Sequence, residues 1–407
     1  MRRSRILLTS IVLLASACAT TPPSPPTTTT TAPQAQQRPL LTPVRFADLP
    51  NWASADLAPA LGAFRRQCAR WANMTPDQTI SSTAQYGGPV GQWRPACNAA
   101  NIVAPGGERA FFERYFTPNA IFYQGGEARL TAYYEPVIRA SRYPMPGLSE
   151  PLLRKPNDMV TVDIAGFAAA YDDPNLRGAP RSLTGQLQGA RVVPYPQRAS
   201  IAPAVGQVIG YAHPADVYNL QVQGSGRLGF VDGTEARAAY SSQNGYKWNS
   251  ALGALQRSGQ LPSPTWANFR AYLDANPASV KTALAADPSY VFFQEEQITE
   301  PAIGPRGASA VNLTPMGSMA VDPAFHPYGA LIFVDAVYDG YAFDRLLVAQ
   351  DTGGAIRRGP LRGDVFFGSG PEAGMRAERM NATPIRAWTL LPNGPPVAAA
   401  DAASPHG

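Results

Sequence analysis

Histidine, cysteine and charge are all scarce in this sequence of 407 residues. Only three histidines and three cysteines occur, and they do not cluster, so the sequence predicts neither a zinc or copper site nor a cofactor. Charged residues make up 15% of the chain, and no cluster rich in lysine and arginine is present, which argues against a nucleic-acid partner. No internal repeat is visible either.

Proline and glycine are instead abundant, at 41 and 36 residues, and apolar residues make up 45% of the chain. This composition favours a globular protein rich in strands and loops over a helical bundle. The length allows two or three domains.

Residues 1–17 have the features of a secretory signal peptide: arginines near the start, a short apolar segment and then small residues. The apolar segment is too short to span a membrane. Cys18 resembles the lipidated cysteine of bacterial lipoproteins, although Leu14 lies one position further upstream than the usual leucine. A plain signal peptide cleaved near Ala17 or Ala19 is the alternative. The residue after Cys18 is Ala19 rather than an aspartate, and in a lipoprotein this favours sorting to the outer membrane.

The net charge of +5, from 34 basic and 29 acidic residues, falls to +2 when Arg2, Arg3 and Arg5 leave with the signal peptide. The stretch from residue 18 to 45 is rich in proline and threonine and predicts an extended linker between a membrane anchor and the folded body.

Cys68 and Cys97 are the remaining cysteines. In an exported protein they predict a disulfide that closes a loop of about thirty residues and stabilises the fold by about 3 kcal/mol. Two buried free thiols are the alternative.

Apolar periodicity predicts helices at residues 56–71, 108–116, 249–258 and 265–275. Short apolar runs predict strands at residues 130–136, 191–194, 206–211, 217–223 and 290–294, and then at 318–321, 330–334, 345–350, 363–367 and 386–391. The last five strands indicate a small closed β structure. The tail, residues 396–407, is predicted to be disordered.

Asp351 and Asp364 lie on either side of a glycine-rich segment that follows one apolar run and precedes another. The pattern predicts strand, loop and strand, with both carboxylates where the strands meet the loop. This arrangement suits acid/base chemistry at the mouth of a β-barrel. Asp322 begins a further loop nearby. Each aspartate alone is typical of a turn, but the three together in one small β region favour a site.

Other chemistries fit these segments less well. The triplet that begins at Asp351 occurs once, so an aspartic-protease mechanism requires a homodimer. Gly353 and Gly354 lack the Gly-Lys-Ser/Thr sequence of a phosphate loop. Ser225 lies between glycines, but without the spacing of a nucleophile elbow, so the segment up to Gly226 is interpreted as a tight turn.

Several segments, in order, resemble the membrane-bound lytic murein transglycosylase A family. They are LTAYYEP at 130–136, LQVQGSG at 220–226, YVFF at 290–293, GASAV at 307–311, VDP at 321–323, AQDTGGAI at 349–356, GDVF at 363–366 and GPEAG at 370–374. The resemblance implies a mainly β fold with some helix. A double-psi β-barrel domain would combine residues 46–136 and 297–395, and a second β-barrel domain, residues 137–296, would be inserted with a glycan groove at the junction.

The resemblance also implies that Asp364 is the catalytic acid and that Asp351 and Asp322 support the site. One departure concerns the loop between them: the run from Arg357 to Pro360 is longer than the single basic residue that usually precedes Gly-Pro in the family.

A single carboxyl can perform the implied reaction. Protonated Asp364 would donate to the glycosidic oxygen between N-acetylmuramic acid and N-acetylglucosamine, and its carboxylate would then remove the proton of the muramyl C6 hydroxyl as that oxygen attacks C1. The product is a 1,6-anhydro sugar, and no water is consumed. Asp364 then needs a pKa raised from about 4 toward 6, through burial beside Phe366 and Phe367 and through a negative neighbour such as Asp351.

The predicted substrate-binding residues are Tyr133, Tyr134, Gln221, Gln223, Ser225, Gly226, Tyr246, Gly353 and Gly354. The tyrosines, with Trp248, are interpreted as platforms for sugar rings, and barrel packing is the alternative. Gln221 and Gln223 would share one face of a strand and bind N-acetyl groups, or would lie on a solvated face.

The sequence therefore predicts a peptidoglycan lytic transglycosylase. We expect a monomeric lipoprotein at the periplasmic face of the outer membrane of a Gram-negative bacterium, with glycan strands as its partner. A hydrolase that acts in the same groove and a glycan-binding lipoprotein without activity are the alternatives.

Overall fold

The computed structural model describes residues 39–123, 128–176, 179–204, 206–354, 356, 359–380 and 386–394. The predicted signal peptide, Cys18, most of the linker, Arg357, Arg358 and the tail lie outside the described residues. Within them, no helix combines the length and the hydropathy that a membrane crossing needs.

The described part of the chain contains seventeen strands and nine α-helices. The strands are β1 (Leu40–Pro43), β2 (Phe116–Phe122), β3 (Arg129–Glu135), β4 (Val137–Ser141), β5 (Glu150–Leu153), β6 (Met159–Val162), β7 (Leu183–Gln188), β8 (Arg191–Pro194), β9 (Val208–Ala212), β10 (Gly226–Phe230), β11 (Glu235–Gln243), β12 (Val291–Glu296), β13 (Ser318–Val321), β14 (Leu331–Tyr338), β15 (Tyr341–Asp351), β16 (Arg362–Ser369) and β17 (Arg386–Pro392). The helices are α1 (Ala58–Trp71), α2 (Val90–Ala100), α3 (Glu108–Tyr115), α4 (Ile164–Tyr171), α5 (Pro214–Gln223), α6 (Ala251–Arg257), α7 (Trp266–Ala275), α8 (Val280–Ala285) and α9 (Gly370–Arg379).

Three sheets organise these strands. The largest is a nearly closed, barrel-like sheet of eight strands in the order β1-β2-β17-β14-β15-β13-β16-β3. A six-stranded sheet has the order β12-β11-β10-β4-β9-β5, and a three-stranded sheet has the order β6-β7-β8. The predicted mainly β fold with some helix is confirmed at this level.

The central strands β13 and β14 of the eight-stranded sheet are buried on both faces along most of their length, which explains their uninterrupted apolar runs. In β14, Leu331 and Phe333 face the core that contains α1, α2 and α3. Ile332 and Val334 point the other way, into a second core with Val365 of β16. Side chains alternate along a strand, so one apolar run supplies both cores.

The disulfide between Cys68 and Cys97 is confirmed. It joins α1 to α2 across an aromatic cluster in which Phe64 lies 6.3 Å from Trp93 and Trp71 lies 5.1 Å from Trp93, measured between ring centroids. The bond therefore fixes two helices that cover one face of the large sheet.

The four predicted helices and the five strands predicted after residue 304 are confirmed, with ends that differ by a few residues. The strand predicted at residues 217–223 is wrong, because this segment belongs to helix α5. His213 caps the helix through its side chain, Pro214 opens the first turn, and Gly224 ends it at a φ of +87° that favours glycine.

Candidate active site

Four strands place Asp351 and Asp364 in one cross-strand row. Asp364 of β16 pairs with Thr131 of β3 on one side and with Ala320 of β13 on the other. Ala320 is also the partner of Asp351 in β15. The two carboxylates thus flank a single methyl group, with their Cα atoms two strand spacings, or about 10 Å, apart. The predicted strand, loop and strand arrangement around them is confirmed.

A bulge in β15 brings Asp351 into this row. Met319 pairs with Ala349, but the next residue, Ala320, pairs with Asp351, so that Gln350 is an extra residue. Met319 and Ala349 face the second core of the sheet. Without the extra residue, strict alternation would turn Asp351 toward that core as well.

Gln350 holds the bulge in place through its own side chain. The residue is completely buried, and its amide nitrogen donates to the carbonyl of Ala63 in α1 at 2.9 Å. Its amide oxygen accepts from the Ser318 hydroxyl at 2.6 Å. The bulge is therefore tied to the helical layer beneath the sheet.

Asp364 is half-buried and has one oxygen engaged. The Thr131 hydroxyl donates to its Oδ1 at 2.6 Å, and Arg362 Nη2 donates to Thr131 Oγ1 at 3.0 Å. Burial raises the pKa of the Asp364 carboxyl to about 6, and the charge of Asp351 adds to the rise, while Thr131 and Arg362 oppose it. The carboxyl is thus poised between acid and base near neutral pH.

Asp351 has both oxygens engaged. Its Oδ2 accepts from the Tyr133 hydroxyl at 2.8 Å, and its Oδ1 accepts from the amide of Ala308 at 3.0 Å. Burial raises the pKa of this carboxyl, and the two hydrogen bonds oppose the rise. Tyr133 packs against Phe366 with ring centroids 5.3 Å apart. Tyr133 is therefore a hydrogen-bond donor within the site.

Asp322 lies outside the row and holds the loop that leads to β16. Its Oδ1 accepts from the amide of Ala324 at 3.1 Å, and its Oδ2 accepts from the amide of Gly359 at 3.2 Å. His326, in the same turn, is bound to the carbonyl of Pro360 at 2.7 Å. Burial lowers the pKa of His326 to about 4, so its neutral ring is the stable form at this position.

Helix α5 meets β3 next to the row. The amide of Tyr134 donates to Gln223 Oε1 at 3.4 Å, and Asn219 Nδ2 donates to the Tyr134 hydroxyl at 3.1 Å. Gln221 does not share this position, because residues two apart on a helix point about 200° apart. It is buried, and its Oε1 accepts from Arg198 at 2.6 Å. The predicted common face of the two glutamines is wrong.

The remaining predicted binding residues fall into two places. Ser225 and Gly226 are buried at the start of β10, where a Cβ on Gly226 would lie 2.9 Å from the Pro136 carbonyl. This close approach explains the second glycine of the segment.

Gly353 is half-buried and Gly354 exposed, directly after Asp351. Tyr246 is half-buried and Trp248 exposed in the loop between β11 and α6. Tyr246 and Trp248 therefore belong to the part of the protein with the six-stranded sheet, whereas Gly353 and Gly354 lie next to the cross-strand row of the two aspartates.

Thr131, Arg362, Ala320 and Gln350 are site residues that the sequence patterns did not single out. Thr131 precedes Tyr133 by two residues in a predicted strand, so their common face was a usable signal. The other three depend on strand register and on a bulge, which leave no local mark in the sequence. Among the residues that the structure describes, no group of His, Cys, Asp or Glu side chains is arranged to hold a metal ion.

The sequence matches two domain models and a bacterial enzyme. The family model for the MltA specific insert domain matches residues 129–294, and the model for the 3D domain matches residues 317–391. The membrane-bound lytic murein transglycosylase A of Escherichia coli K12 is 28% identical over 280 residues, which is 65% of this chain and 66%, just under two thirds, of that protein.

Solved structures resemble almost the whole described fold. MltA from Neisseria gonorrhoeae is 28% identical, with a TM-score of 0.72 over 88% of this chain and 94% of that one. The lytic transglycosylase LtgG of Burkholderia pseudomallei is 30% identical, with a TM-score of 0.56 over 88% of this chain and 98% of that one. Together with the two domain matches and the aspartate row, these likenesses show that the chain belongs to the membrane-bound lytic murein transglycosylase A family with a 3D domain.

Proposed function

We propose that this protein is a lytic transglycosylase of peptidoglycan that uses Asp364 as its single acid and base. It cleaves the β-1,4 bond between N-acetylmuramic acid and N-acetylglucosamine and leaves 1,6-anhydro-muramyl ends. The observation that carries the proposal is the position of Asp364: half-buried, paired between Thr131 and Ala320 in the cross-strand row, and with one oxygen bound by the Thr131 hydroxyl. Burial there raises the pKa of the carboxyl to about 6. The protein also belongs to a family whose members are named lytic murein transglycosylases, and this name supports the proposal.

In the first step, protonated Asp364 donates to the glycosidic oxygen, and positive charge develops at the muramyl C1. In the second step, the Asp364 carboxylate removes the proton of the C6 hydroxyl while that oxygen bonds to C1. The proton returns to the carboxyl, so the enzyme is regenerated without water. A pKa near the working pH makes both steps accessible to one group.

Asp351 supports the reaction electrostatically. It lies on the far side of Ala320 from Asp364, with the two Cα atoms about 10 Å apart. Both of its oxygens already accept hydrogen bonds, from Tyr133 and Ala308. This arrangement favours a fixed negative charge beside the developing oxocarbenium ion over the activation of a water molecule, which a hydrolase would need.

Asp322 acts on the reaction indirectly, through the loop that it binds at Gly359. The glycan groove is proposed to lie where β3 meets α5, beside Tyr134 and Gln223. Tyr246, Ser225, Gly226, Gly353 and Gly354 are proposed to contact sugar residues further along it.

The proposed domain division assigns residues 46–136 and 297–395 to a double-psi β-barrel and residues 137–296 to the inserted domain. Sheet membership supports it: apart from β1, which begins at Leu40, strands of the eight-stranded sheet fall in the first two ranges, and strands of the other sheets fall in the third. The chain therefore passes between the two parts near Glu135 and again after Glu296.

A lipid on Cys18 is proposed to anchor the protein to the outer membrane on its periplasmic side. The name of the Escherichia coli relative, membrane-bound, supports an association with a membrane. The proposed partner there is the glycan strand, bound by a monomer.

Purified murein and mass spectrometry test this proposal. We expect the wild type to release muropeptides that lack one water, and Asp364→Asn to reduce the rate by about a thousandfold or more. Asp339→Asn, at an exposed turn, is the matched control and should retain full activity. Hydrated products would indicate a hydrolase, and equal clearance of murein by wild type and Asp364→Asn would refute the assignment of Asp364.

A further inference from the structure

We infer that Thr131, oriented by Arg362, is a positioning residue that decides which oxygen of Asp364 carries the catalytic proton. The inference rests on the proposed function of Asp364 as acid and base. It concerns a residue on a different strand, β3, which reaches Asp364 only because β3 and β16 are paired in parallel with Thr131 opposite Asp364.

The hydrogen bonds at Thr131 have a defined direction. Arg362 is a guanidinium and can only donate, so its 3.0 Å contact makes Thr131 Oγ1 an acceptor. The hydroxyl hydrogen is then free to be donated. Among the described residues it reaches one acceptor, Asp364 Oδ1, at 2.6 Å. Thr131 is therefore a donor to Asp364.

This direction differentiates the two oxygens of the carboxyl. Oδ1 accepts a hydrogen bond in both protonation states, because Arg362 keeps the hydroxyl turned toward it. The proton of the acid form therefore resides on Oδ2, and Oδ2 is the oxygen that gives the proton to the leaving group and later removes one from C6. Without Thr131 the proton would divide between both oxygens, and only part of the acid would be correctly placed.

The same hydrogen bond stabilises the carboxylate more than the acid. The charged and titratable groups that face Asp364 are Arg362 on its own strand, Asp351 on β15 and the neutral Tyr133 hydroxyl on β3. Arg362 lowers the pKa of Asp364, as does Thr131, while Asp351 and burial raise it. Loss of the Thr131 hydroxyl therefore raises this pKa further and extends the acid form to higher pH.

Thr131→Val tests the inference, because valine has nearly the shape of threonine without the hydroxyl. We expect the alkaline limb of kcat/KM against pH to move up by about one unit. At acidic pH, where the carboxyl is protonated in both proteins, kcat should fall about twofold, because the proton is divided between two oxygens. Thr131→Ser should restore the wild-type pH profile. If Thr131→Val retains the wild-type profile, the inference is wrong. Thr131→Ala provides the same test should the valine variant not fold.

A carbon-13 titration separates this inference from the proposed function. The Asp364 carboxyl signal is assigned by its loss in Asp364→Asn, and its midpoint is compared between wild type and Thr131→Val without substrate. An upward shift supports the role of Thr131 even if the wild type cleaves no murein, in which case only the proposed function fails. An unchanged midpoint overturns the inference even if murein is cleaved.

Discussion

At the scale of single residues, Asp364 shows how burial destabilises the charged form of a proposed catalytic carboxyl. In the proposed mechanism its carboxyl must keep a proton at near-neutral pH for the first step and must also exist as a carboxylate for the second. Burial raises its pKa, whereas Thr131 and Arg362 moderate the rise. The site therefore balances desolvation against one directed hydrogen bond, and the balance has a cost in stability.

The sign of that cost follows from the direction of the pKa shift. The folded-state pKa of about 6 lies above the ordinary value of 3.8. Any stability from this group is therefore fully present below about pH 4 and is lost as the pH rises through about 6.

Asp364→Asn should thus be more stable than the wild type at pH 8, because the variant buries no charge at this position. We expect a difference of about 1 to 2 kcal/mol, since solvent partly screens the half-buried group. The difference should shrink as the pH falls below 6. Urea denaturation at pH 8, 6 and 4.5 checks this expectation. A variant that is less stable at pH 8 would contradict the raised pKa.

At the scale of secondary structure, the bulge at Gln350 determines which face of β15 carries Asp351. A strand without the extra residue would direct this carboxylate into the apolar core, where it would be buried without a partner. The bulge instead aligns it with Asp364 across Ala320. The position of Asp351 in the row therefore depends on a strand irregularity, which is anchored by the hydrogen bond from Gln350 to the Ala63 carbonyl of α1.

Gln350→Leu should remove that anchor, so that the Ala63 carbonyl loses the amide that binds it and the Ser318 hydroxyl loses the oxygen to which it donates. We expect a loss of about 1 to 3 kcal/mol in the free energy of unfolding and a fall in kcat larger than any change in KM. Ser318→Ala is the matched control, because it keeps the hydrogen bond between Gln350 and Ala63. It removes the bonds of Ser318 with Gln350 and with the Thr314 amide and should cost about 1 to 2 kcal/mol. A fully active Gln350→Leu protein would show that the bulge persists without its anchor.

At the scale of the whole molecule, Glu135 joins the two large sheets. It is completely buried at the end of β3 and accepts from Arg227 of β10 at 2.9 Å and from Arg237 of β11 at 2.5 Å. Ser369, at the end of β16, donates to it at 2.5 Å. The same arginines donate to the carbonyl of Ile303, where the chain returns to the eight-stranded sheet. Both passages of the chain thus meet at one carboxylate.

Glu135→Gln should leave two arginines without their buried counter-ion. We expect the free energy of unfolding to fall by about 3 to 5 kcal/mol. Asp339→Asn is the matched control, because its ion pair with Arg379 is exposed, and it should change stability by less than about 1 kcal/mol. Denaturant melts followed by tryptophan fluorescence measure both. If Glu135→Gln unfolds like the control, the junction does not depend on this charge.

Elements with strong apolar periodicity could be predicted from the sequence, whereas an element with an ambiguous pattern could not. Helix α1 and strands β13 to β17 were recognisable because their apolar periodicity is strong, and the disulfide followed from two cysteines in an exported chain. Helix α5 was missed, since residues 217–223 alternate in a way that suits a strand equally well. The capping by His213 and Gly224, which distinguishes the two, lies at its ends.

The sequence alone was enough to predict the family, the three candidate aspartates Asp322, Asp351 and Asp364, and the strands on which two of them lie. It was not enough to predict which groups form hydrogen bonds with each carboxylate. Pairing between β3 and β16 joins residues more than two hundred positions apart, and a one-residue bulge reverses the direction of a side chain. Local sequence sets a strand's period, but register and bulges depend on packing against other parts of the chain, and these determine what each aspartate contacts.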